Sequence, residues 1–139
     1  MASDRTLAII KPDALARHLT GQIIAHLESN GFQLGAARIV RLTPREAAEF
    51  YSVHRERPFF RSLVDFMTSG PCLPMALTRA DAVSTLRRVI GATDPAEAAP
   101  GTIRKLFAES KERNAIHASD SDENAARELQ FFFAGAELI

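Results

Sequence analysis

Hydrophobic and polar positions along the chain alternate between short β-prone runs and the spacing of about 3.6 residues that is typical of helices. Residues 6–10 form an apolar run that ends at Pro12, because proline lacks the N–H that a central strand needs. Apolar residues in the segment 20–30 share one helical face, and Asn30-Gly31 supplies a stop. Residues 32–42 then predict a second strand.

The middle of the chain predicts two further helices and a third strand. Thr43-Pro44-Arg45-Glu46 combines an N-cap, a proline in the first turn and a capping-box glutamate, so a helix begins there and continues to about His54. The next helix ends near Ser69-Gly70-Pro71, and its apolar face consists of Phe60, Leu63, Val64 and Met67. Residues 72–78 predict the third strand.

The last third of the chain predicts a helix, a long irregular segment, a brief strand and a final helix. Residues 80–90 predict a helix that ends at Gly91 and points Ala82, Val83, Leu86 and Ile90 inward. Between residues 92 and 115 the periodicity disappears, apart from a turn near Thr102–Phe107. Loops of that length inside compact domains are usually functional or disordered. Residues 115–118 predict the fourth strand, and residues 122–133 the last helix.

The order of elements, β-α-β-α-α-β-α-loop-β-α, pairs four strands with helices. It predicts the α+β class, and within it a ferredoxin-like sandwich in which helices pack on a four-stranded antiparallel sheet. A chain of 139 residues buries roughly two-thirds of its unfolded surface, so we expect residues 1–139 to form a single domain.

Composition narrows the classes of function. Lys and Arg together number 17, as do Asp and Glu, and this zero net charge argues against a protein that coats nucleic acid or a membrane surface. Cys72 is the single cysteine, which fits a reducing compartment. The N-terminus has no signal-type apolar region, and no apolar run approaches the ~20 residues of a membrane helix. We therefore expect a cytoplasmic protein with no membrane partner and no obligate nucleic-acid partner.

Phosphate chemistry is indicated by side chains rather than by a backbone loop. The sequence contains neither G-x-x-x-x-G-K-[ST] nor G-x-G-x-x-G, the two commonest phosphate cradles. The long loop and its flanks instead place five polar residues ahead of His117, namely Arg87, Thr93, Arg104, Arg113 and Asn114. Guanidinium groups bind phosphate oxygens in pairs, and an imidazole is a nucleophile near neutral pH. Glu128, two turns into the last helix, is placed to orient His117 directly or through Ser119.

The run Asn114–Ser121, NAIHASDS, resembles the active-site signature of nucleoside diphosphate kinases. The resemblance covers nearly the whole chain, because other markers of that family follow in the same order: Arg5-Thr6, Ile10-Lys11-Pro12-Asp13, Tyr51, Arg57-Pro58-Phe59-Phe60, Ser69-Gly70-Pro71, Gly91-Ala92-Thr93-Asp94-Pro95 and Pro100-Gly101-Thr102-Ile103-Arg104.

The resemblance implies an enzyme that transfers the γ-phosphate of a nucleoside triphosphate to a nucleoside diphosphate by a ping-pong mechanism. It implies that His117 is phosphorylated, that Glu128 and Ser119 support it, and that Tyr51 lies beside it. The nucleotide-binding residues that it implies are Arg87, Thr93 and Arg104 for the phosphates, Lys11 and Asn114 for the ribose hydroxyls, and Phe59 for the base. A Mg²⁺ ion held mainly by substrate phosphates, with Asp120 nearby through water, is implied as well.

Two positions depart from the usual pattern of the family. Ala118 stands where the signature commonly has glycine, and its methyl group matters if the backbone there needs a positive φ. Lys111 stands opposite Phe59 where the family often has an apolar residue, and its alkyl stem can still cover a base. The resemblance also implies a homo-oligomer, a tetramer or a hexamer, and the Pro95–Pro100 loop resembles a segment that packs between subunits in hexamers.

Each of these residues also has an ordinary interpretation. Without the resemblance, His117 is a polar or core histidine, as His18, His26 and His54 are taken to be, and Asp120 is a turn residue. An RNA-binding module on the same sandwich needs exposed aromatic side chains on its central strands, whereas these strands are aliphatic with Phe32 as the main exception. A catalytically inactive relative is the third alternative. Acid-labile labelling of the protein by ATP separates the three.

Overall fold

The computed structural model describes residues 3–138, and within that range a single antiparallel sheet has the strand order β2-β3-β1-β4. The strands are β1 Arg5–Ile10, β2 Gln33–Ala37, β3 Leu73–Thr78 and β4 Ile116–Ala118. The central pair, β1 and β3, runs in continuous register from Arg5 opposite Thr78 to Ile10 opposite Leu73. This sheet and its helices form the ferredoxin-like α+β sandwich that the sequence predicts.

Seven α-helices in the described residues cover the sheet. They are α1 Pro12–Ala16, α2 Thr20–Ser29, α3 Pro44–Phe50, α4 Phe60–Met67, α5 Ala82–Ile90, α6 Ile103–Phe107 and α7 Asp122–Phe132. Short 3-10 helices occupy Ser52–His54 and Gly135–Glu137.

Both faces of β1 are buried, because its side chains alternate between two cores. Ala8 and Ile10 pack into the core beneath α2 and α5. Leu7 and Ile9 pack into the second core, which contains aromatic and aliphatic side chains of α3, α4 and α7. Successive strand residues point to opposite faces, so a strand covered on both sides has no polar positions in its middle. This explains why β1 is a continuous apolar run in the sequence.

Local capping determines where several helices begin. The Thr43 hydroxyl accepts the Glu46 N–H at 3.1 Å, and the Glu46 carboxylate accepts the Thr43 N–H at 2.9 Å, so the predicted capping box of α3 is present. Ser121 caps α7 in the same way by accepting the Asn124 N–H at 3.0 Å. A side-chain cap satisfies backbone N–H groups that have no partner inside the helix. The Ser121 cap therefore fixes the start of the helix that carries Glu128.

The second strand is shorter than the predicted run of residues 32–42. β2 ends at Ala37, has an irregular register between Leu34 and Ala36, and is followed by one isolated bridge between Val40 and Cys72. The apolar residues beyond Ala37 do not all enter a core, since Ile39 is 69% exposed. A short apolar run does not by itself distinguish a strand from an irregular extended segment.

Two short helices differ from the prediction. The sequence predicts only that Pro12 ends the first strand, whereas the structure also begins α1 at Pro12. A missing N–H costs nothing there because the first turn has no acceptor for it. The predicted turn near Thr102–Phe107 is helix α6, which Thr102 caps by accepting the Lys105 N–H at 3.3 Å. The helix predicted from residue 80 begins at Ala82, after Asp81 in a left-handed conformation with φ of 50°.

Candidate active site

The candidate site lies where the edge strand β4 meets the end of β1. His117 is the middle residue of β4 and pairs with Ile9 of β1. Lys11 follows the last residue of β1 directly, so the sheet brings it to the same end of the fold as His117. The backbone pairing of two strands therefore sets the relative position of these two side chains.

A carboxylate holds the imidazole of His117. The Nε2 atom of His117 lies 2.8 Å from Oε1 of Glu128, and the Ser119 hydroxyl donates to the same oxygen at 2.7 Å. Glu128 is 5% exposed. Burial alone raises the pKa of Glu128, but the hydrogen bonds from His117 and Ser119 and the positive charges nearby outweigh it and lower that pKa. An ionised carboxylate only accepts hydrogen bonds, so Nε2 is the protonated nitrogen and Nδ1 carries the lone pair.

Two aromatic rings hold the imidazole from the side of α3. The ring of Phe50 lies 5.5 Å from that of His117, and the ring of Tyr51 lies 5.9 Å away in a perpendicular orientation. The Tyr51 hydroxyl oxygen is buried and has no hydrogen-bond partner among residues 3–138. Burial also raises the pKa of Tyr51, so this hydroxyl stays protonated and is a donor.

Arg104 of α6 and Arg87 of α5 donate hydrogen bonds to backbone carbonyls of strand β4. Buried Arg104 donates to the Ile116 carbonyl at 2.7 Å and to the Gly91 carbonyl at 3.2 Å, while its Nε has no partner in the described part of the chain. Exposed Arg87 donates to the Ala118 carbonyl at 3.3 Å. Burial, and then the charge of Arg87, lower the pKa of Arg104 to about 10, so Arg104 is cationic at neutral pH.

Lys11, Asn114 and Thr93 form a chain of hydrogen bonds across the site. The Lys11 ammonium donates to the Asn114 amide oxygen at 2.9 Å, and the Asn114 amide nitrogen donates to the Thr93 carbonyl at 3.2 Å. Both Lys11 and Asn114 are buried. Burial, and then the charge of Arg104, lower the pKa of Lys11 to about 8.

The alanine in the signature causes no backbone strain. Ala118 lies in β4 opposite Ala8, and it is not among the non-glycine residues with positive φ in the described range, which are His18, Asp81 and Ala115. The left-handed conformation is at Ala115 instead, where φ is 73°. The commonly observed glycine is therefore not needed at position 118 for its φ.

The site residues that the resemblance implies line a single cleft of about 540 Å³, except Ser119, which lies buried behind Glu128. Arg113, the other candidate named from the loop, lies outside this cleft and donates to the Glu109 carboxylate at 3.1 Å. The lining residues that the sequence predicts are Lys11, Tyr51, Phe59, Arg87, Thr93, Arg104, Asn114, His117, Asp120 and Glu128. Phe59 is 48% exposed at the mouth of the cleft, and Lys111 lies on the lining as expected.

The cleft also contains residues that the sequence did not indicate, namely Val53, His54, Leu63, Glu112 and Asn124. His54 was interpreted as an ordinary histidine, but its ring lies 5.6 Å from that of Phe59. Its separation of three residues from Tyr51, on one 3-10 turn, was the available signal. Glu112 and Asn124 have no distinguishing pattern in the sequence. They line the cleft only because the loop before β4 and helix α7 place them there.

A metal site made of protein ligands alone is not present in residues 3–138, since they contain no group of three or more His, Cys, Asp or Glu side chains able to hold an ion. Asp120 lies exposed on the cleft and accepts the Asn124 amide N–H at 2.6 Å. That hydrogen bond lowers the pKa of Asp120, which leaves an ionised carboxylate beside His117 and Arg87.

For the described range we also find that no helix has the length and apolar character needed to cross a membrane.

The sheet, the cleft and its cations define an α+β enzyme whose substrate carries phosphate, because guanidinium and ammonium groups converge with donor hydroxyls on one polar pocket.

Comparisons with known proteins identify the family. A sequence profile described as nucleoside diphosphate kinase matches residues 4–138. The chain is 57% identical over 136 residues to a nucleoside diphosphate kinase of Chlorobium luteolum, covering 98% of this chain and 97% of that protein. The nucleoside diphosphate kinase structure of Aquifex aeolicus superposes with a TM-score of 0.96 at 48% identity, covering 98% of this chain and 99% of that one. The structure of the Halobacterium salinarum enzyme in complex with CDP gives a TM-score of 0.92 at 39% identity, covering 97% and 90%.

The chain belongs to the nucleoside diphosphate kinase family. It is a phosphotransferase that acts on nucleotides, so the family and the enzymatic function predicted from the sequence are confirmed.

Proposed function

We propose that this chain transfers the γ-phosphate of a nucleoside triphosphate to a nucleoside diphosphate through a phosphohistidine at His117. The observation that carries the proposal is the 2.8 Å contact between His117 Nε2 and Glu128 Oε1 in a cleft lined by cations. With Nε2 donating to the carboxylate, Nδ1 is the nitrogen that attacks phosphorus. Ser119 keeps the carboxylate oriented by donating to the same oxygen.

The proposed reaction consists of two half-reactions. In the first, the Nδ1–P bond forms while the bond from the γ-phosphorus to the bridging oxygen breaks, and that electron pair leaves on the nucleoside diphosphate. The ring gains positive charge, which the carboxylate of Glu128 stabilises across the Nε2–H bond. In the second half, a terminal oxygen of another nucleoside diphosphate attacks the phosphorus, and the electron pair returns to Nδ1.

The phosphate-binding groups are Arg87, Arg104 and Thr93. Charge in the transition state spreads over the phosphoryl oxygens, and guanidinium donors stabilise it by binding two oxygens at once. Arg104 is already held in place by two carbonyls, so it has little freedom to lose when substrate binds. The Tyr51 hydroxyl, which has no hydrogen-bond partner within residues 3–138, is a further donor toward the phosphoryl group on His117.

The sugar and the base bind at different depths. Lys11 and Asn114, which are buried and hydrogen-bonded to each other, contact the ribose hydroxyls. Phe59, half-exposed at the mouth, stacks on the base, and the alkyl stem of Lys111 covers the opposite face. The substrates are nucleoside di- and triphosphates of several bases, since every base has a face that stacks.

Mg²⁺ is the proposed cofactor, and the donor set on the cleft fits it. Magnesium usually takes one or two carboxylates, several waters and substrate phosphates rather than a complete protein cage. The ionised carboxylate of Asp120 fits that preference and would hold the ion through a water molecule. When bound, the ion neutralises charge on the substrate phosphates.

The chain is further proposed to form one domain over residues 1–139, to reside in the cytoplasm and to assemble as a homo-tetramer or hexamer. The two cores share β1, which supports one domain. The edge strand β2 presents Leu34 at 37% exposure, and such an edge suits pairing with a second copy. The resemblance of the Pro95–Pro100 loop to an inter-subunit segment favours the hexamer.

Incubation with ATP labelled on the γ-phosphate tests the proposal. The wild-type protein should acquire one acid-labile, base-stable phosphate, and His117→Gln should acquire none while keeping its circular dichroism spectrum. The matched control is His26→Gln, a histidine on the surface of α2 away from the cleft, which should label like wild type. Stoichiometric labelling of the His117→Gln variant contradicts the assignment of the nucleophile.

A further inference from the structure

We propose that Asp13 is a positioning residue: its carboxylate holds a strained turn at Ala115 and thereby sets the position of the Asn114 amide in the nucleotide cleft. This inference rests on the proposed role of Asn114 in nucleotide binding. Asp13 lies in the first turn of α1 and is 2% exposed.

The turn at Ala115 is of a rare type. The Ile116 N–H donates to the Asn114 carbonyl at 2.9 Å, so Ala115 is the single central residue of a γ-turn. Its φ of 73° belongs to the positive-φ form of that turn, which is strained for a residue that has a Cβ. Strained backbone persists only where the surrounding structure holds it.

The segment after β1 holds this turn from both sides. The Ala115 N–H donates to Oδ2 of Asp13 at 3.1 Å, and the Ala115 carbonyl accepts the Lys11 N–H at 2.9 Å. A carboxylate accepts a backbone N–H more strongly than a neutral oxygen does. Asp13 therefore supplies the side-chain half of a clamp whose other half is main chain.

The clamped turn joins two functional side chains. Asn114, its first residue, bonds to Lys11 and to the Thr93 carbonyl, and His117 lies two residues after Ala115. If the turn relaxes, the Asn114 amide moves away from the position that this network defines. A displacement of about 1 Å at such a site reduces a rate by about a hundredfold.

Stability alone does not account for a carboxylate at this position. The Oδ1 atom of Asp13 is buried without a hydrogen-bond partner in the described residues. An unbonded buried oxygen costs folding free energy. Buried groups that lower stability in this way are expected at functional sites, where holding one geometry matters more than the total free energy of folding.

The test compares single-turnover phosphorylation by subsaturating γ-labelled ATP in wild type, Asp13→Ala, Asp13→Asn, Asn114→Ala and the Asp13→Ala/Asn114→Ala double variant. Asp13→Ala should be slower by about tenfold to a hundredfold. Asp13→Asn should stay within about threefold of wild type, because an amide oxygen still accepts the Ala115 N–H. The double variant should match Asn114→Ala within about threefold, since two changes that act through one group are not additive. Exposed Asp65→Ala is the control and should match wild type.

Three results overturn the inference: an unchanged rate in Asp13→Ala, equal losses in Asp13→Ala and Asp13→Asn, or additive losses in the double variant. If Asp13→Ala does not fold, the nuclear magnetic resonance signal of the Ala115 N–H in the wild-type protein tests the inference instead. A downfield, slowly exchanging N–H resonance supports the clamp, and a solvent-like one contradicts it. If the wild-type protein is labelled by ATP, none of these outcomes affects the proposed function. If the wild-type protein is not labelled, both the proposed function and the role of Asp13 are contradicted.

Discussion

The two ends of the proposed nucleotide cleft are built differently. At the inner end, Glu128, Ser119, Lys11 and Asn114 are all buried and are already hydrogen-bonded to one another or to His117. At the mouth, Phe59 is 48% exposed and Val53 is 60% exposed. The inner end therefore has one arrangement of donors and acceptors, and the mouth has an open apolar surface.

Under the proposed function, this difference separates catalysis from base recognition. Oriented, desolvated donors stabilise the charge of a transition state without reorganising, so small displacements at the inner end are costly. An open stacking surface accepts any base and adapts to its size. We therefore expect changes at the inner end to alter rates strongly, and changes of the base to alter them little.

The largest effect is expected from the arginines. Arg104→Ala should lower kcat/KM on the order of a thousandfold and Arg87→Ala about a hundredfold, because Arg104 is buried and held while Arg87 is exposed. The measurement is steady-state transfer from ATP to a second nucleoside diphosphate.

Lysine variants of Arg104 and Arg87 test whether the paired contact of the guanidinium group is needed or only its charge. Lys at either position should restore only part of the activity, since an ammonium group does not form the paired contact of a guanidinium. Arg79→Ala, which removes an arginine outside the cleft, is the control and should retain wild-type activity. Unchanged efficiency in both alanine variants would place the phosphate site elsewhere.

The next effect concerns the sugar. In this family the ribose 3′-hydroxyl is expected to donate toward the oxygen that leaves the transferred phosphate, with Lys11 and Asn114 holding the ribose. A donor at that oxygen stabilises developing charge, so 3′-deoxy-ATP should phosphorylate His117 in a single turnover about a hundredfold or more below the rate of ATP, and well below all the nucleotides that keep the 3′-hydroxyl. ATP, GTP, CTP and dATP should agree within roughly one to two orders of magnitude.

Two outcomes would separate the roles of the inner end and the mouth. A 3′-deoxy substrate that reacts as fast as ATP contradicts the roles of Lys11 and Asn114. A sharp preference for one base contradicts Phe59 as an unselective platform.

The smallest effect is on stability and follows from Lys11. Burial lowers its pKa in the folded state to about 8, from an ordinary 10.5. The unfolded chain then binds more protons than the folded chain between these two values, so the destabilisation by this buried cation is constant and largest below pH 8, falls as the pH rises from 8 to 10.5, and is absent above that range. We expect Lys11→Met to gain thermal stability relative to wild type at pH 7, and to lose that advantage above pH 10. An advantage that is constant with pH contradicts the buried cation.

The sequence predicts best those features that depend on neighbouring residues. The capping box at Thr43 and Glu46 marks α3 correctly, because both hydrogen bonds close within one turn. The end of β2 at Ala37 was missed, because it depends on which side chains later find a core. Helix α1 was missed because Pro12 suits both the end of a strand and the start of a helix.

The candidate site follows the same rule. The resemblance supplied residues of the family's pattern, and the structure brings them to one cleft. His54 also lies there, because the 3-10 turn after α3 places it three residues after Tyr51, and that separation was its signal in the sequence. The bond from Ala115 to Asp13 joins residues far apart in the chain, so only the pairing of β1 with β4 reveals it.

We propose that Glu128 orients His117 for attack through one particular ring nitrogen. Nuclear magnetic resonance of the phosphorylated, ¹⁵N-histidine-labelled protein identifies the ring nitrogen that carries phosphorus. Because Nε2 lies 2.8 Å from Oε1 of Glu128, we expect phosphate on Nδ1 and a proton on Nε2. Phosphate on Nε2 of His117, or on another residue, would contradict it.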